Sequence, residues 1–98
     1  MAAEIMELAD LKQEIEAKKE AGELIVFTNG CFDILHVGHI RYLKKAASLG
    51  DKLVLAVNSD SSVKELKGKS RPFVPETERL ELLAALDMID YLILFSES

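Results

Sequence analysis

The sequence holds one cysteine, Cys31, so no disulfide can close within the chain and a fold stapled by cross-links is excluded. It has no tryptophan, two prolines and five glycines in 98 residues, which excludes a collagen-like or low-complexity chain. No apolar run approaches the roughly 18 residues of a membrane-spanning helix, so none is expected. The opening stretch, MAAEIMELADLKQEIEAKKEAG, is acidic and lacks the basic-then-apolar order of a secretory leader. Positive charge is also scarce: 12 Lys and Arg against 17 Asp and Glu leave a net charge of −5. No nucleic-acid partner and no membrane partner is expected, because non-specific binding to either needs a basic surface. Any site for an anion must then be local. The lone thiol fits a cytoplasmic location.

What is present reads as one small α/β domain. Apolar residues make up 49% and charged residues 30%, a globular balance. Ile5, Leu8, Leu11 and Ile15 recur at helical spacing, which predicts an amphipathic helix from residue 4 to about residue 21, stopped at Gly22. Residues 1–22 thus form an N-terminal helical segment in front of a main unit, 23–98. ELIVFT (23–28), KLVLAVNS (52–59) and YLILFS (91–96) are continuous apolar runs, read as three strands buried on both faces. Helices are predicted over HIRYLKKAASLG (39–50) and PETERLELLAALDMI (75–89), the latter with Leu80, Leu83, Ala84 and Met88 on one face. SDSSVKELKG supplies one or two helical turns, and KSRPFVP is a loop fixed by Pro72 and Pro75. The order α β α β α α β implies a parallel, Rossmann-like, doubly wound sheet. One outer strand is left bare, so self-association into a dimer is expected. Ligands of such sheets gather beyond the carboxyl ends of the strands.

The first such end is FTNGCFDILHVGHIRYL, residues 27–43. A helix N-terminus carries unpaired N–H groups and about half a positive charge, a ready place for phosphate. Gly30 and Gly38 bring the backbone close to a ligand because they have no Cβ. His36 lies just before the helix and His39 in its first turn, so both imidazoles face one side and can donate to a single phosphate group. A zinc site built on His36, His39 and Cys31 lacks an evident fourth ligand, and Cys31 as a nucleophile lacks a positioned partner. No resident metal is expected. Gly68-Lys69-Ser70 is not a phosphate loop, because Val63 stands where the earlier glycine belongs. Lys67, Lys69 and Arg71 are either a solvated charged loop or a cationic flap over polyphosphate. Arg79 is either a surface residue or a ligand to nucleotide or phosphate. Asp33 either caps the helix or fixes the turn and a ligand's position. Asn58 and Asp60 end the second strand, on the ligand-bearing rim.

Over residues 25–95 this combination resembles the cytidylyltransferase-like branch of the HxGH nucleotidyltransferases: Gly-x-Phe-Asp, His-x-Gly-His, the Asn-Ser-Asp strand end and Lys-Gly-x-x-Arg-Pro. Within the branch, TNGCFDILHVGH and LKGKSRP are most similar to the adenylyltransferase domain of bifunctional ADP-heptose synthases. Glycerol-3-phosphate cytidylyltransferases are also similar but carry a different residue pair before Phe-Asp. The resemblance implies that a sugar or alcohol phosphate attacks the α-phosphorus of ATP or CTP, with Mg2+ assisting and pyrophosphate leaving. It assigns His36, His39 and Lys67 to catalysis. It assigns Thr28, Asn29, Gly30, Cys31, Phe32, Asp33, Gly38, Asn58, Asp60, Lys69, Arg71 and Arg79 to binding. Heptose 1-phosphate adenylyltransfer is the leading expectation; glycerol-3-phosphate cytidylyltransfer and a non-catalytic nucleotide-binding module are the alternatives. The family pattern runs past the third strand into a further strand and a Ser/Thr-bearing turn. This sequence ends FSES instead, so the fold is expected to be incomplete at its C-terminus.

Overall fold

The computed structural model describes residues 3–96. The first two residues of the expected 1–22 segment and the last two of 23–98 lie outside the described residues, and the expectation about the chain's end falls with them.

Eight elements follow in order: β1 (Glu4–Ile5), α1 (Leu8–Glu20), β2 (Ile25–Gly30), α2 (Val37–Ala47), β3 (Lys52–Asn58), α3 (Asp60–Lys67), α4 (Glu76–Ala84) and β4 (Tyr91–Phe95). The strands form one sheet of order β1-β4-β3-β2, every pair parallel. Helices pack on both of its faces, so the architecture is the doubly wound, Rossmann-like α/β sheet that the alternation predicts. On one face Leu43 and Ala46 of α2 and Leu80 and Leu83 of α4 close over Leu53, Leu55 and Val57 of β3 and Leu92 of β4. Each buried Leu or Val among them contributes about 1.5–3 kcal/mol by leaving water. On the other face α1 crosses the amino ends of the strands, with Leu11 against Ile25, Val54 and Tyr91.

The structure corrects the sequence reading in four places. Glu4 and Ile5 form a strand, not the start of a helix, because β4 offers an open edge: Glu4 N–H donates to Asp90 O at 3.1 Å and Met6 N–H to Leu92 O at 2.9 Å. The sheet therefore has four strands rather than three, with β2 at one edge and the two-residue β1 at the other. Ile5 and Leu8 do not join the buried stripe; they are 55% and 57% exposed, and Leu11 is the buried contact. β2 is not buried on both faces: Phe27 is 57% exposed, because β2 lies at the edge and α1 covers only its amino end. Finally, α4 stops at Ala84. Ala85 and Leu86 N–H bond back three residues to Leu82 O and Leu83 O, and Asp90 then pins the chain to β3 by accepting Leu53 N–H at 2.8 Å. Ile89 is still buried, but from a turn.

Among the described residues no helix is long and apolar enough to cross a membrane.

Candidate functional site

β2 ends at Gly30, and the chain turns through Cys31–Leu35 into α2. Phe32 adopts φ of +50°, the left-handed region that a bulky residue enters at a cost of about 1–3 kcal/mol. Its ring is repaid by packing in the core, 7% exposed, and by a tilted contact with His39 at 5.2 Å between centroids. Gly30 is required for this: a Cβ there would lie 2.6 Å from Phe32 Cε2.

The two histidines cap the helix they precede. Gly38 N–H donates to His36 Nδ1 at 3.0 Å, and His36 N–H donates to His39 Nδ1 at 3.2 Å. The rings lie 4.0 Å apart at 34°. A ring nitrogen that accepts a hydrogen bond carries no proton, so the neutral form of each ring holds its proton on Nε2. Among the described residues neither Nε2 has a hydrogen-bond partner. The result is a pair of N–H donors on adjacent rings with their other nitrogens fixed by the backbone. Burial holds the His39 pKa below the usual 6.5, helped by the charges of His36 and Lys67. Gly38 has a different task from the one its position implied. A Cβ there would sit 2.7 Å from His36 Cε1 and 2.9 Å from Nδ1, so the glycine makes room for the capping imidazole rather than for a ligand.

Asp33 does not cap α2; His36 does. The Asp33 carboxylate is 4% exposed and reaches the loop before α4. It accepts Val74 N–H at 2.9 Å, Phe73 N–H at 2.9 and 3.0 Å, and Arg71 Nε–H. Burial alone would raise its pKa, but the Val74 and Phe73 amides and the Arg71 guanidinium together hold it below 3.8. The turn after β2 and the 71–74 loop thus form the walls of one cavity of about 370 Å³. Cys31, Phe32, Asp33, Ile34, His36, His39, Lys67 and Arg71 line it. Seven of these eight are residues that the sequence singles out; Ile34 is the addition.

Other expected residues lie elsewhere. Arg79 is neither a surface residue nor open to a ligand: it is 1% exposed and donates to Val74 O, Cys31 O, Asn58 O and Asp60 Oδ1 at 2.7–2.9 Å. It ties the ends of β2 and β3 to the start of α4. Asp60 joins this tie, exchanging hydrogen bonds with Glu76: Asp60 N–H to Glu76 Oε1 at 2.7 Å, and Glu76 N–H to Asp60 Oδ1 at 2.8 Å. Each acid satisfies a free N–H at the start of the other's helix. Asn58 is 4% exposed, and among the described residues its Nδ2 has no partner. Lys69 is exposed in the loop and does not line the cavity. Thr28 pairs its hydroxyl with Tyr42. With Asn29 it lines a wider space of about 830 Å³ between α1 and the sheet. That space is larger but is floored by Phe27, Val54, Ala56 and Ile93 and contains neither histidine, so it is not the candidate centre. Among the described residues no group of three or more His, Cys, Asp or Glu side chains is placed to hold a metal.

Sequence reasoning missed Phe73, whose ring stacks under Arg71, and Glu76, the partner of Asp60. Both carried a signal: an aromatic two residues beyond an arginine in a loop, and acids at the first positions of two consecutive helices.

Comparison with known proteins gives the lineage. The Cytidylyltransferase-like family matches residues 27–98. The bifunctional protein HldE of Geobacter metallireducens is 59% identical over 95 residues, 97% of this chain and 19% of that protein. The bifunctional protein HldE of Pelobacter propionicus is 61% identical over 83 residues, 85% of this chain and 17% of that protein. This chain therefore spans less than a fifth of the length of these two relatives. A solved structure, the lipopolysaccharide core biosynthesis protein of Thermoplasma volcanium, superposes with a TM-score of 0.69 and 41% identity, covering 76% of this chain and 59% of its own. With the family match running over most of its length, from β2 onward, the chain belongs to the cytidylyltransferase-like family.

Proposed function

We propose that this chain carries the phosphate-gripping centre of a nucleotidyltransferase. In this reading a sugar phosphate attacks the α-phosphorus of a nucleoside triphosphate, a nucleoside monophosphate is transferred, and pyrophosphate leaves. Heptose 1-phosphate with ATP, giving ADP-heptose, is the preferred pair. It rests on the match of TNGCFDILHVGH and LKGKSRP to the heptose branch and on relatives named for HldE and for lipopolysaccharide core biosynthesis. The observation that carries the reaction class is the histidine pair: both Nδ1 atoms are engaged by backbone N–H, and among the described residues both Nε2 atoms are unengaged beside the cavity.

Two preset donors suit phosphoryl chemistry because charge builds on the oxygens around phosphorus as the bond to the leaving group breaks. Donors already aimed need no reorganisation, and each is worth about 10²–10³ in rate. Lys67, at the end of α3, adds positive charge to the same cavity. No covalent intermediate is required; the protein orients the acceptor and stabilises charge. The chain's own residues do not fit a protein-held Mg2+. Among the described residues the one carboxylate that lines the cavity, Asp33, is taken by Arg71 and two amides. The magnesium ion of this reaction would be held by the nucleotide's own phosphate oxygens. The proposal includes a cytoplasmic location and self-association through the open edge of β2, which carries no charged residue or proline.

Pyrophosphate release from ATP and from CTP, with heptose 1-phosphate and glycerol 3-phosphate as acceptors, tests it. ATP with heptose 1-phosphate is the expected pair. CTP with glycerol 3-phosphate would select the cytidylyltransfer alternative, and nucleotide binding without release would select the binding module. His36→Ala and His39→Ala should each lower turnover at least ~10²-fold while keeping a cooperative melt. Unchanged turnover in both variants contradicts the assignment.

A further inference from the structure

Arg71 is half committed. Its Nε–H donates to Asp33, and its Cζ lies 4.5 Å from the centre of the Phe73 ring. Asp33 also accepts the amides of Phe73 and Val74, so carboxylate, guanidinium and aromatic ring form one unit. Among the described residues neither Nη of Arg71 has a hydrogen-bond partner, and the side chain lines the cavity that holds the histidines and Lys67. Phe73 is 60% exposed, and stacking under Arg71 is the ring contact it makes.

A free surface arginine loses rotamer freedom when it binds. Arg71 has lost much of it already, because one N–H and one face of its plane are held by the protein. What remains is a planar fork of N–H groups at fixed orientation, the geometry that matches a phosphate bidentately. Asp33 cancels much of the guanidinium charge, so recognition at this point comes from the directed fork, with Lys67 supplying net positive charge nearby. The cavity therefore offers two kinds of donor: the histidines present two single donors fixed by the backbone, and Arg71 presents a paired donor.

We propose that Arg71 forms a second anion subsite that takes the phosphate group of the acceptor, a phosphate monoester, and that Asp33 and Phe73 are its positioning residues. The identity of the anion as an acceptor rests on the nucleotidyltransferase reading; the subsite itself rests on the geometry of Arg71.

The test is 31P NMR titration of the protein with inorganic phosphate, as the probe for the monoester group, and separately with ATP. Arg71→Lys keeps the charge and removes the fork; it should weaken phosphate binding at least about tenfold and ATP binding less than about twofold. Phe73→Leu removes only the stack and should weaken phosphate binding about threefold, with ATP unchanged. His36→Ala should do the reverse, weakening ATP and sparing phosphate. Equal weakening of both ligands by Arg71→Lys would place Arg71 on the nucleotide and overturn the proposal, as would no weakening of either. If Arg71→Lys loses its cooperative melt, the solvent-exposed Phe73→Leu decides: a selective loss of phosphate binding supports the subsite, and no change refutes it. Arg71-dependent phosphate binding by a protein that releases no pyrophosphate would keep the subsite and reject the nucleotidyltransferase reading.

Discussion

After β3 the polar groups face one another; after β2 they face a cavity. At the β3 end Arg79, Asp60 and Glu76 close a ring of hydrogen bonds with each other and with the carbonyls of Val74, Cys31 and Asn58. Among the described residues Asn58 Nδ2 is the buried side-chain atom left without a partner there. At the β2 end the same kind of strand-to-helix turn leaves both histidine Nε2 atoms and both Arg71 Nη groups unengaged among the described residues. Donors without acceptors, gathered in one concave place with Lys67, are the complement of an anion. The two junctions sit on adjacent parallel strands, so the backbone alone does not explain the difference. It lies in the side chains: one junction holds the loops together, and the other is held in readiness by that same tie, since Arg79 also grips the carbonyl of Cys31.

The comparison predicts that damage at the two ends takes different forms. The largest effect is at the β3 end. Arg79→Leu removes a buried cation and takes a donor from three carbonyls and from Asp60, which keeps the Glu76 N–H; each buried acceptor left unsatisfied costs about 1–3 kcal/mol. Urea unfolding should show this loss or an unfolded chain, and a shift under about 1 kcal/mol would mean that Arg79 is not the tie.

Next comes Gly38→Ala, which sharpens the contrast at the β2 end. The new methyl must push the His36 ring off Nδ1's bond to Gly38 N–H. Alanine gains about 1 kcal/mol of helix propensity, and the lost cap costs a similar amount, so stability should hardly change. Turnover should fall about tenfold to a hundredfold, because the donor is no longer aimed. A variant that melts early but keeps its rate would erase the distinction between the junctions.

The smallest effect is acid dependence. Asp33 is held below 3.8, so its contribution is complete above the unfolded value and is lost as pH falls through the folded one. The part of the acid-induced drop in the urea midpoint that belongs to Asp33 should therefore set in only below about pH 4, and Asp33→Asn should flatten that lower part. His39 follows the same sign from 6.5 downward: its neutral form is favoured in the folded chain, and its contribution is lost as pH falls through the lowered pKa. An acid limb unchanged by Asp33→Asn would show that the 71–74 loop is held by something else.

What was legible in the sequence is what depends on neighbours along the chain. The helix at 37–47 and the imidazole pair around Gly38 follow from spacings of three and four, and β3 and β4 from continuous apolar runs. β1 was not legible, because two residues carry no period and their strand state is conferred by the edge of β4. An apolar run such as ELIVF also does not say whether its strand is central or at an edge, and so the exposure of Phe27 was missed. The burial of Arg79 depends on acceptors as far away as Cys31, 48 positions back. Side-chain charge alone pointed the other way.

The central claim is that both imidazoles are locked with Nδ1 as acceptor and Nε2–H presented to phosphate. Nitrogen-15 NMR of the ring nitrogens of His36 and His39, at a pH where both are neutral and with ATP then added, tests it most directly. The account predicts the Nε2–H tautomer for both rings in the free protein and a shift of both Nε2–H signals on adding ATP. An Nδ1–H tautomer in either ring, or rings that ignore the nucleotide, would contradict it.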